Sequence, residues 1–164
     1  MTDPVITWPK VSAEFDTFVR KHSDQILFGT LVSVDPSSGG SSQPGYAVFE
    51  VGELRTRGEL KLDRKLGVYE RLQLLTDMVR QITLDPPDVF ACEEIPKRAA
   101  HHYLLWAVGA TFAGARTPAC LQVPIHIWKR VGQALGMDKS NENDAELIGR
   151  ALIYRARYLK QPNE

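Results

Sequence analysis

Three acids sit where a chain can put carboxylates to chemical use. Asp35 closes the apolar run "ILFGTLVSV", Glu93 closes "VFAC", and Asp144 lies in the first turn of the last helical pattern, "NENDAELIGRALIYRARYLK". Acids that end neighbouring strands of one sheet emerge at the same edge, so Asp35 and Glu93 can share a site despite their separation in sequence. A helix N-terminus favours an ionised carboxylate, which suits Asp144 as a ligand. Singly, each has a plainer role: Asp35 before Pro36 as a turn acid, Glu93 as a surface acid at a strand end, and Asp144 as a helix stabiliser. Together they are the hard oxygen donors that magnesium or manganese takes. Hydrolysis of a phosphodiester by two metals needs several carboxylates around ions about 3.5 to 4 Å apart.

Such acids need a sheet to hold them. "ILFGTLVSV" (26–34) is a continuous branched apolar run, the pattern of a central strand buried on both faces. "YAVFEV" and "LRTRGEL", parted at Gly52 and Glu53, read as two more strands of an antiparallel meander. Leu72, Leu75, Val79 and Ile82 recur at three- and four-residue steps and predict a helix over 65–82 that "LDPPD" stops. "VFACEE" (89–94) repeats the grammar of the first strand. After Pro96 comes a long helix to about Ala115 with a small-residue face of Ala100, Ala107, Ala110 and Gly114. "CLQVP" reads as the last strand, and "IHIWKRVGQALG" and "NENDAELIGRALIYRARYLK" as the closing helices. Before all of these, Phe15, Phe18 and Val19 in "AEFDTFVRKH" mark a short amphipathic helix, so residues 1–25 read as a helical extension and residues 26–160 as the main domain.

The chain has 164 residues, 43% apolar and 24% charged, enough for one globular domain with a real core. No apolar run reaches the length of a membrane span and no secretory signal opens the chain, so a cytoplasmic protein without a membrane partner is expected. Cys92 and Cys120 lack the spacing of a disulfide framework or a zinc site and read as reduced core thiols. Net charge is zero, yet residues 95–164 carry 10 Lys and Arg against 5 Asp and Glu. A basic C-terminal part suits a phosphate-bearing partner on one side, although a solvated helical face gives the same count.

The order of "LVSVDPSSGGSSQPGYAVFE", "DVFACEE" and "NDAELIGRALI" resembles the RuvC-type branch of the RNase H-like superfamily, over roughly residues 27–157. Asp35, Pro36, Gly45 and Tyr46 match the end of the family's first strand, with a longer loop between them. Ala91, Cys92 and Glu93 match its fourth-strand segment. Asp144 and Ala145 match the second of two acids on its last helix, and "PIHIWKR" resembles an element of phage members. The resemblance implies an α/β fold, a mixed five-stranded sheet of three antiparallel strands plus parallel strands, flanked by helices. It implies a magnesium- or manganese-dependent endonuclease with two ions that cuts branched DNA such as Holliday junctions, with Asp35, Glu93 and Asp144 as catalytic ligands. It also implies a homodimer, since two symmetrical cuts call for two sites, and the small-residue face of helix 98–115 is the candidate contact. Where the family carries its first helix acid, this chain has Asn141, a neutral oxygen donor; Glu142, Glu94 and Glu146 are the candidates to replace it.

Lys97, Arg98, Lys129, Arg130 and Lys139 form the expected phosphate-contacting rim. His101 and His102 are adjacent and diverge on a helix, and Tyr103 and Trp106 fit core packing better than base stacking. "SSGGSSQPG" lacks the Gly-Lys-Ser/Thr of a phosphate loop. Actin-like ATPases share an acid after their first strand but need two lobes and about twice this length. The rival reading is an RNase H-like scaffold that binds DNA or an assembly and has lost full metal occupancy through Asn141.

Overall fold

Strand β1 (Thr30–Asp35) is the centre from which the fold is built. The computed structural model describes residues 2–35, 43–63, 65–94, 117, 119–138 and 140–162, without the side chains of 68, 141 and 142. Five strands form one sheet in the order β3-β2-β1-β4-β5. β2 (Gly45–Glu50) and β3 (Glu53–Glu59) extend it antiparallel on one side of β1. β4 (Val89–Glu93) and β5 (Ala119–Val123) extend it parallel on the other. This is the mixed five-stranded sheet that the family resemblance implies. The helices are α1 (Ala13–Lys21), α2 (Ser23–Phe28), α3 (Val68–Ile82), α4 (Ile125–Leu135) and α5 (Asn141–Lys160).

Alternation along β1 and β4 divides the core into two layers. Leu31, Val89 and Ala91 face one way, where Phe49 of β2 and Ile148, Leu152 and Ala156 of α5 complete the larger cluster. Val32, Val34, Phe90 and Cys92 face the other way, against Leu75 and Val79 of α3 and the segment carrying Leu60 and Leu62. Because both faces are covered, β1 is buried from Leu31 to Asp35, which explains its unbroken apolar run. Phe15, Val19, Ile26 and Leu27 of α1 and α2 belong to the same cluster as α5.

Three expectations are corrected. Ile26–Phe28 close α2 instead of opening the strand, which begins at Thr30. A short apolar run does not tell a buried helix turn from a strand, and Ile26 and Leu27 are buried either way. The β2–β3 turn is Val51–Gly52, both at positive φ (53° and 73°), the requirement of a tight two-residue hairpin turn. Cys92 is a core thiol as expected, with its pKa pushed up to about 12 by burial and by the neighbouring Cys120 and Glu93. Cys120, however, is exposed: it lies on the edge strand, where Ala119 and Val123 take the inward positions. The predicted helix after Pro96, with its small-residue face, His101, His102, Tyr103 and Trp106, lies outside the described residues.

Candidate active site

The register of β1 against β4 decides where the first two acids go. Their parallel pairing runs from Leu31 opposite Val89 to Val34 opposite Cys92, so Asp35 and Glu93 are the next residues along both strands. Neighbouring strands lie about 5 Å apart, and both acids fall on odd positions of the alternation, with Leu31, Ser33, Val89 and Ala91. Both therefore project on the α5 side of the sheet. The register is fixed at the opposite end by Asp88, whose Oδ2 accepts the Thr30 N–H at 2.8 Å. Gly29 makes room for that carboxylate, since a Cβ there would stand 2.3 Å from Asp88 Oδ2. A slip of one residue would turn Glu93 to the α3 face.

Helix α5 brings the third acid to the same edge. Ser140 caps it, its Oγ accepting the Asn143 N–H at 3.1 Å, so Asp144 sits in the first turn. One residue on, the Ala145 carbonyl accepts the Ser33 hydroxyl at 2.6 Å, a buried bond from β1 to the helix. Since Ser33 is two residues before Asp35 on the same face, this bond holds Asp144 over the strand end that carries Asp35. Gly149 permits the approach: a Cβ there would lie 2.3 Å from Phe49 Cε2 and 2.9 Å from Ser33 Oγ. Asp35 and Asp144 are both buried, and Glu93 is half-buried.

The donor chemistry fits a divalent cation, because three carboxylates offer only hard oxygens. The backbone carries Asp35, Glu93 and Asp144 to one edge, yet their side chains are not drawn into a cluster: among the described residues no group of three His, Cys, Asp or Glu stands ready to hold a metal ion. Glu146 is not a replacement ligand. It lies two residues beyond Asp144, on another face of the helix, and its oxygens are taken by Arg57 Nη1 at 3.3 Å and Arg150 Nη2 at 3.1 Å. Arg57 also donates to Asn143 Oδ1, and Asn143 Nδ2 donates to the Asp138 carbonyl at 2.7 Å, which ties β3 to the loop before α5. Glu94 is exposed, one residue past the strand end, and alternation points it away from Glu93. The backbones of Asn141 and Glu142 open α5, and their side chains lie outside the described residues.

Of the expected basic rim, Lys129 and Arg130 are exposed on α4. Lys129 lines a groove that also reaches Asp144, so this cation stands beside the acidic edge. Lys97, Arg98 and Lys139 lie outside the described residues. The sequence reading missed the residues that support the acids: Ser33, Gly149, Arg57, Asn143 and Asp88. Only Ser33, a lone hydroxyl inside an apolar strand two residues before Asp35, offered a local signal.

No protein-family model matches the sequence, and no curated protein does. Solved structures do match. RuvC of Thermus thermophilus in complex with a Holliday junction substrate superposes with a TM-score of 0.62 at 20% identity, over 79% of this chain and 95% of that one. Another Thermus thermophilus RuvC structure gives 0.56 at 18% identity, over 79% of this chain and 96% of that one. The chain thus has the RNase H-like fold of the RuvC type. No helix among the described residues is long and apolar enough to cross a membrane.

Proposed function

We propose that this protein is a metal-dependent endonuclease that hydrolyses phosphodiester bonds in branched DNA, with Asp35, Glu93 and Asp144 as the ligands of magnesium or manganese. The observation that supports the reading is the arrival of the three acids' backbone positions at one edge of the sheet. Two end adjacent parallel strands on one face, and a buried Ser33–Ala145 hydrogen bond holds the third above them. The fold shared with a protein solved on a Holliday junction supports DNA as the substrate.

Two bound ions would supply an activated water and neutralise the leaving oxygen. The chain's own part is to place the carboxylates on stiff elements. Asp35 and Glu93 are held by the sheet register and Asp144 by the capped first turn of α5, and the reading requires the three to turn toward a common point. Lys129 and Arg130 contact backbone phosphates and position the strand without reading its sequence. Two cuts related by symmetry require two such sites, so the working form in this reading is a two-fold dimer.

Asn141 and the open arrangement of the acids favour a second reading, a DNA-binding scaffold of the same fold with little or no cleavage. A panel of four-way junction, flap, fork and RNA–DNA hybrid substrates, incubated with magnesium, manganese or EDTA, separates the two. The nuclease reading expects cutting of a branched substrate that EDTA abolishes. Junction binding with no cleavage under either metal overturns it in favour of the scaffold.

A further inference from the structure

Strand β3 does not alternate simply between the two faces of the sheet. Leu54 packs into the cluster beneath α5, and Arg57, three residues on, also projects to that side, where it meets Asn143 and Glu146. Residues three apart on a regular strand face opposite ways. The difference is a bulge: Thr56 stands opposite Val48 and Leu54 opposite Phe49, which leaves Arg55 as an extra residue without a counterpart on β2. Bulges recur beside active sites, where they re-aim a side chain. Here the bulge turns Arg57 from the α3 side of the sheet to the α5 side.

The row of the sheet that receives Arg57 is the one that already grips the helix. Ser33 pairs with Ala47 and Ala47 with Arg57, so a hydroxyl, a methyl and a guanidinium lie side by side across three strands. Ala47, small and fully buried, sits between the two donors in the cluster that α5 covers. Ser33 donates to the Ala145 carbonyl, and Arg57 donates to Asn143 Oδ1 and, at 3.3 Å, to Glu146 Oε2. At about 100° per residue, Asn143 and Glu146 share one flank of the helix, Ala145 points to the sheet, and Asp144 lies on a third side about 130° from the Arg57 contacts. The bond at Ala145 sets the height of the first turn, and an anchor on the flank sets its rotation. A roll of the helix swings Asp144 toward Asp35 and Glu93 or away from them.

We propose that Arg57, aimed by the bulge, is a positioning residue that sets the roll of α5 and so the reach of the Asp144 carboxylate toward a cation. The inference rests on the reading of the three acids as metal ligands and adds the group that orients one of them. Removing Arg57 strands no buried charge, because Glu146 keeps Arg150 at 3.1 Å. The Arg57 side chain is itself 38% exposed, where an ion pair adds little to stability. Its loss therefore falls on the geometry of the site more than on the fold.

The test measures manganese binding to the full chain without DNA, from the loss of the free-ion electron paramagnetic resonance signal. Arg57→Ala should weaken binding about three- to tenfold, less than the loss from removing a direct partner of a metal ligand. Its thermal midpoint should move by less than about 4 °C. Asn143→Ala should weaken binding as well, and the double variant by less than the product of the two single losses, since both break one linkage. Arg155→Ala, which loosens the far end of the same helix, should keep the wild-type affinity. Wild-type affinity in Arg57→Ala, single losses that multiply in full, or equal losses in Arg57→Ala and Arg155→Ala overturn the positioning role alone. A wild-type chain that binds no manganese, or Asp144→Asn that binds it as tightly as wild type, overturns the parent reading and this one with it.

Discussion

The two ends of α5 use acidic residues in different ways. At its C-terminal end three acids meet cations: Asp16 holds Arg155 through two bonds of 2.8 and 2.7 Å, Asp3 holds Arg157, and Asp24 holds Lys160 at 2.7 Å. Trp8 and Tyr158 add ring faces 5.1 and 4.8 Å from the Arg155 guanidinium. These contacts clamp the N-terminal segment to the helix, and Phe15 and Val19 of α1 add buried apolar surface. At the N-terminal end Glu146 likewise meets Arg57 and Arg150, while Asp144 lies in the first turn, at the sheet edge that carries Asp35 and Glu93. In the proposed nuclease one end holds the fold and the other carries a ligand, so substitutions should separate stability from activity along a single helix.

The sharpest break in that contrast is expected from Asp35→Asn. Cleavage of branched DNA should fall by at least about a thousandfold, matching the several kcal/mol that metal ions supply to such reactions. The thermal midpoint and junction affinity should change little; a collapse of the fold would make Asp35 structural. Arg155→Ala should do the reverse, costing about 3 kcal/mol in urea unfolding, because it leaves Asp16 without its partner in a largely buried pair. The rate of cutting per folded molecule should stay within a few-fold of wild type.

Gly149→Ala tests the coupling between the ends. The new methyl would collide with Phe49 and Ser33, so the helix must lift, at a cost of about 1 to 3 kcal/mol. Because the same lift moves Asp144, cleavage should drop by more than the loss of folded protein explains. Wild-type activity per folded molecule in this variant would show that α5 tolerates displacement. The smallest effect concerns His22, at the α1–α2 junction, whose pKa is lowered by burial and then by Lys21. The folded state favours its neutral ring, so its contribution is complete above about pH 6.5 and is lost as pH falls below that value. His22→Gln should flatten the slope of stability between pH 6.5 and 5, and an unchanged slope would place the titration elsewhere.

How far the site was legible varies from residue to residue. Asp35 and Glu93 were readable because a strand announces itself by a local apolar run and an acid marks its end. The final helix was readable to its ends, since its apolar spacing and the polar stretch before it are local signals. The boundary of the first strand was misread because Ile26 and Leu27 would be buried in either conformation. Glu146 was misread as a spare ligand because sequence does not show that Arg57, on a distant strand, occupies it.

The sequence alone determined the order of the five strands and the three acids at element ends, because propensity, periodicity and turn chemistry act between near neighbours; the mixed sheet was implied by the family resemblance. Only the tertiary structure decided that Val34 stands opposite Cys92, that Ser33 bonds a carbonyl 112 positions away, and that α4 and α5 leave a groove beside Asp144. Those facts depend on register and close packing between segments far apart in the chain. Many sequences with the same local pattern could satisfy them differently.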